Sequence, residues 1–198
     1  MKEILYDWGG ANVWLFHAIN GLHTIWSDRF MLAGTLLAGH ENFPVFLGFA
    51  CLFAIGSLTG GDADRRTAPR WLFAISVFAI AFMLDGQMLQ IVKPWLDFPR
   101  PLLALPQGSV HVFGKPEYHH SLPSGHASFA MLTVASFWPM LSPFFRKIGI
   151  FFVIWTGFSR IMLGAHFPAD VLAGYLSAYL IVHVVRKVLH DSLARVDA

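Results

Sequence analysis

Five long apolar stretches, separated by short polar segments, dominate the hydrophobic pattern of this chain. They run approximately over residues 43–58, 71–92, 124–141, 148–163 and 169–185. Most of them approach the ~20 residues that a helix needs to cross a bilayer. Because lipid offers no partners to backbone amides and carbonyls, helix is the expected conformation of such stretches. The pattern therefore predicts an all-α fold, a polytopic membrane helix bundle.

The amino-terminal part has a weaker pattern. Residues 8–26 mix aromatic residues with two asparagines and two histidines, which fits either a poor first span or an amphipathic helix in the membrane interface. Residues 29–40 fit either a short helix or the first half of the span that follows. In total we expect about six membrane-associated helices, the first either spanning or interfacial, in a single domain over residues 1–198.

Composition agrees with a membrane location. Of the 198 residues, 56% are hydrophobic and 13% are charged, whereas soluble domains carry roughly 25% charged residues. The net charge of +2 argues against a nucleic-acid partner. Cys51 is the only cysteine in the sequence, so neither an internal disulfide nor a cysteine-based metal site can form.

Basic residues between the spans predict the orientation. Those of three connecting segments fall on one side when the spans are counted: Arg65, Arg66, Arg70, Arg146, Lys147, Arg186, Lys187 and Arg195. By the positive-inside rule that side is cytoplasmic. The other side carries the connection over residues 94–123, which at about 30 residues is long enough to expect a function.

Polar residues collect at the span ends on the outer side. Because successive spans alternate in direction, topology places at one membrane face residues that lie far apart in sequence. They are Lys93, Arg100, Ser124, Gly125, His126, Arg160, His166 and Asp170.

This set has the composition of a phosphate site. Lys93, Arg100 and Arg160 supply the N–H donors that suit a phosphate with two or more negative charges. Ser124 and Gly125 open a predicted helix, and the free amides at a helix start favour an anion.

Two histidines complete the chemistry. Gly164 is expected to end a helix and leave His166 on a tight turn. Asp170, four residues on, is placed to accept a hydrogen bond from Nδ1 of His166 and leave Nε2 free as a nucleophile. His126 lies in the first turn of its helix, within reach of a bound phosphate.

Three motifs in this set resemble the signature of the type 2 phosphatidic acid phosphatase family, which shares its site with vanadium haloperoxidases. They are Lys-x6-Arg-Pro, Pro-Ser-Gly-His and Ser-Arg-x5-His-x3-Asp, and all three are complete here in the family's order. The resemblance covers about residues 30–185.

The resemblance implies a metal-independent lipid phosphatase without a cofactor. His166 would attack phosphorus to form a phosphohistidine, His126 would protonate the leaving oxygen and then help water to attack, and Asp170 would orient His166. The phosphoryl oxygens would be held by Lys93, Arg100, Ser124, Gly125 and Arg160.

The expected partners are a lipid phosphate substrate and membrane lipids, and the oligomeric state stays open. The family's substrates include undecaprenyl diphosphate and phosphatidylglycerol phosphate, which we favour, and also phosphatidate and lipid A phosphates. Location in the cell (inner) membrane is expected, with the site on the periplasmic or extracellular side.

Other functions remain as alternatives. A lipid phosphotransferase would use the same phosphoenzyme. The hydrophobic chain argues against a vanadate haloperoxidase, and the intact motifs argue against a transporter with a decayed site. Among the other polar residues, Asp85 and Gln87 are expected to face the bundle interior. We interpret His119 and His120 as loop residues rather than metal ligands.

Overall fold

The computed structural model describes residues 6–59 and 67–196, and within these ranges the chain is helical without a β-strand. Arg65 and Arg66 lie outside the described residues. A single helical turn at Pro101–Ala104 accompanies seven longer α-helices. These are α1 (Ala11–Asn20), α2 (Ile25–Leu37), α3 (Phe43–Thr59), α4 (Ala68–Leu96), α5 (Gly125–Phe137), α6 (Pro143–Met162) and α7 (Pro168–Val196).

The amino-terminal part folds as two helices, one more than expected. α1 ends at Asn20, and α2 begins behind a capping box in which Thr24 and Ser27 each accept a hydrogen bond from the other's backbone amide. Because such a box satisfies amides at a helix start, the chain restarts here, and residues 8–26 do not form one segment. α2 is a separate short helix that ends before a 3-10 turn at His40–Asn42.

Three helical segments of the described chain are long and apolar enough to cross a membrane. They are His40–Leu58, Ala68–Ala104 and Pro168–Arg195, with mean hydropathies of 1.5, 1.9 and 1.4. Large apolar side chains remain exposed on several helices, including Leu52 of α3, Phe151 of α6 and Leu176 of α7. An apolar surface of this extent is typical of contact with lipid.

α5 lies at the centre of the bundle and packs against α4, α6 and α7. Its fully buried Phe129 and Leu132 belong to one core cluster with Phe78 of α4 and Val182 of α7. α7 approaches α5 closely at Gly174, where a Cβ atom would lie 2.5 Å from the carbonyl oxygen of Ser124. Small residues let membrane helices make such close contacts, because association in lipid depends on van der Waals packing.

The two ends of α5 differ in chemistry. At its carboxyl end, Arg186 of α7 donates hydrogen bonds to the carbonyl oxygens of Ala135 and Ser136, at 2.7 and 3.1 Å. A cation there is favoured by the helix dipole. The amino end of α5, with Gly125 and His126, faces the cavity described below. The basic segment around Arg186 and the cavity are therefore at opposite ends of the bundle.

Candidate active site

A cavity of about 600 Å³ opens where α4 and α6 end and α5 begins. Six of the residues that the sequence predicted for the site line it: Lys93, Arg100, Gly125, His126, Arg160 and His166. Its other lining residues include His40, Gln87 and Glu117 and the apolar α4 side chains Phe82, Met83 and Leu89. The bundle thus brings together residues from four separate segments.

The three cations reach the cavity from different elements. Lys93 lies near the end of α4, and Arg160 lies in the last turn of α6. Arg100 precedes the Pro101–Ala104 turn and is fixed by the 94–123 connection. Its amide donates to the carbonyl of Tyr118 at 2.8 Å, and its Nε donates to that of His119 at 2.9 Å.

Two of these cations converge on one carboxylate oxygen. Oε2 of Glu117 lies 2.6 Å from a terminal nitrogen of Arg100 and 4.0 Å from one of Arg160. The two arginine side chains are largely buried, whereas that of Glu117 is 45% exposed. The carboxylate therefore lies where an anionic oxygen of a ligand would be bound. Glu117 was not predicted as a site residue, because nothing but its position in the long connection marks it in the sequence.

The turn that carries His166 depends on a glycine. Gly164 has a φ of +75°, and a Cβ there would lie 2.3 Å from the carbonyl oxygen of His111. The left-handed conformation and this close approach both require glycine. The amide of His166 donates to the carbonyl of Arg160 at 3.1 Å. The turn that carries His166 is thereby attached to the end of α6, where Gly164 predicted that the helix would end.

The hydrogen bonds of His166 indicate its tautomer. Nε2 lies 3.2 Å from a terminal nitrogen of Arg100. Because a guanidinium has donors and no acceptor, Nε2 accepts and carries the lone pair. The ring proton is then on Nδ1, which lies 3.4 Å from Oδ2 of Asp170 and 3.5 Å from Oγ of Ser121.

Asp170 is fully buried behind His166, and three donors fix its carboxylate. Tyr6 donates to Oδ1 at 2.8 Å, while the Ser121 hydroxyl and the Phe167 amide donate to Oδ2 at 2.5 and 2.8 Å. Burial, reinforced by Asp170, raises the pKa of the Tyr6 phenol, which keeps it protonated as a donor. Tyr6 and Ser121 were not predicted from the sequence, because no local pattern relates Asp170 to residues 164 and 49 positions away.

The amino end of α5 contributes two predicted residues to the cavity and one beside it. His126 lies in the first turn, and the helix start at Gly125 leaves amides without intrahelical acceptors. Ser124 is buried and does not line the cavity. Its amide donates to the carbonyl of Asp170 at 2.9 Å, and its hydroxyl has no partner among the described residues. Ser124 thus joins the start of α5 to the start of α7.

Asp85 and Gln87 face the bundle interior in different ways. Asp85 is fully buried, accepts a hydrogen bond from Ser128 of α5 at 2.5 Å and lies 3.5 Å from Nε2 of His40. Gln87 and His40 line the cavity. His40, which was not predicted as a site residue, therefore lies between Asp85 and the cavity.

The other histidines lie apart from the cavity lining. His119 and His120 are loop residues whose Nδ1 atoms lie 3.4 and 3.2 Å from Oδ1 of Asp97. One group among the described residues has the geometry to hold a metal ion, and it consists of His23, Asp28 and His111. None of these three lines the cavity.

The electrostatic field at His166 favours its neutral form. Burial lowers the pKa of this imidazole well below its ordinary value, and the nearby Arg100, Arg160 and Lys93 lower it further. An ordinary histidine titrates near ~6.5. As the pH falls, the ring of His166 therefore stays neutral to a lower pH than the ring of a solvent-exposed histidine does. A neutral ring has the lone pair that a nucleophile needs.

Comparison with known proteins places these features in a family. Residues 70–193 match the model of the PAP2 superfamily. The lipid A 1-phosphatase of Rhizobium johnstonii is 33% identical over 106 residues, which are 52% of this chain and 42% of that enzyme. The lipid A 1-phosphatase of Rhizobium etli is 44% identical over 54 residues, 27% of this chain and 23% of that enzyme. The matched segments thus span less than half of either relative.

Two solved structures share the fold. Aquifex aeolicus LpxE superimposes with a TM-score of 0.75 at 22% identity, covering 89% of this chain and 95% of that chain. The first transmembrane PAP2-type phosphatidylglycerolphosphate phosphatase from Bacillus subtilis superimposes with a TM-score of 0.66 at 21% identity. That match covers 94% of this chain and 88% of that chain.

We predict that the imidazole of His166 titrates below pH ~6.5 in the free protein, because burial and adjacent cations disfavour its protonated form. Histidine ring resonances of labelled protein in phosphate-free detergent solution measure this. The resonance that is absent from the spectrum of His166→Ala is assigned to His166. Added vanadate should raise its midpoint, since a bound anion favours the imidazolium. A midpoint at or above 6.5 without an anion contradicts the prediction.

Proposed function

This chain belongs to the PAP2 superfamily, and from that premise we propose that it is an integral membrane phosphatase that hydrolyses a lipid phosphate or diphosphate. The observation that carries the proposal is the convergence of Arg100 and Arg160 on one anionic oxygen beside Nε2 of His166. A phosphoryl group taking the place of the Glu117 carboxylate would lie within reach of both guanidiniums and of the nucleophile.

The first chemical step is attack by His166. Nε2 forms a bond to phosphorus, and the bond from phosphorus to the lipid oxygen breaks. Asp170 stabilises the positive charge that develops on the ring, since its carboxylate lies next to Nδ1. Lys93, Arg100 and Arg160 offset the charge on the phosphoryl oxygens, and the amide at Gly125 adds a donor at the start of α5. Ser124 lies behind the same helix start, outside the cavity lining, and its amide joins α5 to the carbonyl of Asp170.

His126 serves both halves of the reaction. It donates a proton to the leaving lipid oxygen in the first step. In the second step it accepts a proton from a water molecule that attacks phosphorus, breaking the bond to Nε2 and releasing inorganic phosphate. Transfer to a lipid hydroxyl in place of water would make the same phosphoenzyme a phosphotransferase.

We further propose that this reaction needs no metal ion. The cavity supplies three cationic side chains, which is enough to offset the charge of a phosphate dianion. The histidines that line it, His40, His126 and His166, are accompanied by one carboxylate, Glu117. That carboxylate is paired with Arg100.

A lipid substrate fits the shape of the cavity. Its wall on α4 includes the apolar side chains of Phe82, Met83 and Leu89. Met83 is 68% exposed, and we propose that this side of the cavity faces the acyl-chain region. A lipid whose phosphate reaches the arginines can leave its chains in the bilayer.

Among lipid phosphates, we propose the 1-phosphate of lipid A as the preferred substrate. Support comes from the two sequence relatives, both named lipid A 1-phosphatases. The competing substrates are phosphatidylglycerol phosphate and undecaprenyl diphosphate, which we favoured from the sequence, and phosphatidate.

The location we propose is the inner membrane, with the cavity on the periplasmic side. The support is the separation of charge along the bundle. Arg70, Arg146, Lys147 and Arg186 lie toward the end away from the cavity, where the positive-inside rule places cytoplasmic segments.

Purified His166→Ala protein should lose lipid phosphatase activity by about 10³-fold or more, because no second imidazole is placed on that turn. Phosphate release is measured on lipid A 1-phosphate, phosphatidylglycerol phosphate, undecaprenyl diphosphate and phosphatidate. His190→Ala, which removes an exposed histidine at the far part of α7, is the matched control. Near-normal turnover by His166→Ala would refute the assignment of His166 as the nucleophile. If the wild-type protein released phosphate from none of these lipids, the proposed function would be refuted.

Replacing His126 should discriminate between leaving groups. A lipid alkoxide is a poor leaving group and needs protonation, whereas p-nitrophenolate needs little. His126→Ala should therefore slow hydrolysis of the lipid phosphate far more than that of p-nitrophenyl phosphate. Equal losses of kcat on the two substrates would mean that His126 binds phosphate and is not the general acid.

Cysteine labelling in intact cells tests the orientation. In a Cys51→Ala background, Lys115→Cys in the connection near the cavity should react with an impermeant thiol reagent. Lys147→Cys, in the first turn of α6 at the other end, should react only after the cells are permeabilised. Both lysines are exposed in the fold, so accessibility differs by side alone. The reverse labelling pattern would place the cavity on the cytoplasmic side of the membrane.

A further inference from the structure

A second cluster of ionisable side chains lies near the cavity end of the bundle and takes no part in the mechanism above. It consists of His23 in the turn between α1 and α2, Asp28 in the first turn of α2, and His111 in the 94–123 connection. One ligand atom from each lies within 4.8 Å of the others. Nε2 of His111 is 2.9 Å from Oδ2 of Asp28, and the rings of His23 and His111 stack with centroids 3.7 Å apart.

Asp28 is the feature that needs an explanation. It is 3% exposed, and its Oδ1 has no hydrogen-bond partner among the described residues. A buried carboxylate oxygen without a partner is strongly unfavourable. The second carboxylate oxygen is already used by His111. A cation bound at Oδ1 would satisfy the group, and each adjacent imidazole would offer one nitrogen as a further ligand.

The backbone around this cluster is positioned independently of any ion. The side chain of Asn20 accepts from the amide of His111 at 2.9 Å and donates to the carbonyls of His111 and Met162, both at 2.8 Å. His111 is thereby held against the end of α6. His23 is exposed, so its ring is free to rotate out of the stack and direct a nitrogen at the ion.

We propose that His23, Asp28 and His111 form a zinc-binding site that is separate from the catalytic cavity. Two imidazole nitrogens and one carboxylate oxygen form a donor set that zinc binds, and a water molecule completes a tetrahedron. Magnesium and calcium favour oxygen ligands and bind such a set poorly.

Zinc in this place joins three segments and acts on stability. It links the α1–α2 turn and α2 to the connection that holds Arg100. The carbonyl of His111 also packs against Gly164, two residues before His166. Because none of the three ligands lines the cavity, the ion strengthens the scaffold around the catalytic turn and supplies nothing to the reaction.

The test uses tag-free protein in detergent and phosphate-free buffer, stripped with EDTA and then titrated with zinc chloride. We expect one zinc ion per chain by elemental analysis. Zinc at about 100 times its dissociation constant should raise Tm by roughly 5–10 °C, while magnesium chloride should leave Tm unchanged. Absence of a shift with zinc in tenfold excess over protein would overturn the site.

Variants locate the ion. His23→Ala removes an exposed ligand and should fold normally but lose most of the zinc-dependent shift, and Asp28→Asn should do the same. His190→Ala should keep the full shift, as should His166→Ala, which excludes binding in the catalytic cavity. An equal shift in wild type and in both ligand variants would refute the assignment. The EDTA-stripped protein should retain phosphatase activity, so failure of the zinc site leaves the proposed reaction untouched.

Discussion

The candidate site depends on one series of contacts at the cavity end of the helix bundle, in which a buried imidazole lies between a carboxylate and a guanidinium. Asp170, His166 and Arg100 are each less than one-tenth exposed. Water cannot orient buried groups of this kind, so hydrogen bonds from the protein must do so. Tyr6, Ser121 and the Phe167 amide hold the carboxylate, and the carbonyls of His119 and Ala165 hold the guanidinium. The imidazole between them has little freedom to choose another tautomer.

Clustered cations impose a second requirement on the same end of the molecule. Lys93, Arg100 and Arg160 would repel one another in a buried cavity without an anion. In the described structure the carboxylate of Glu117, which is partly exposed on a loop, offsets some of this positive charge. A loop carboxylate is easily displaced, because its outward rotation restores its hydration. In the function proposed above, a phosphate dianion, which carries more charge and more oxygens, would take the place of this carboxylate at both arginines.

The sequence predicted the parts of this arrangement that local patterns encode. Apolar stretches predicted α3 to α7, and the motif spacing together with alternating spans predicted six of the residues that line the cavity. Gly164 predicted the end of α6 before His166. The amino-terminal part was predicted less well. Its hydrophobic pattern is weak, and the capping box at Thr24 and Ser27 divides a segment that we had expected to be continuous.

Residues that support the site from a distance could not be predicted in the same way. Tyr6 reaches Asp170 across 164 positions, and neither periodicity nor a motif relates them. Their contact arises because the amino-terminal segment packs over the start of α7, where Tyr6 lies 4.5 Å from the ring of Phe98 and 6.1 Å from that of Phe167, centroid to centroid. The family motifs thus supply six of the residues that line the cavity, while packing outside the motifs orients the Asp170 carboxylate behind His166. A chain that kept all three motifs but lacked Tyr6 would retain His166 and lose one of the three donors to the Asp170 carboxylate.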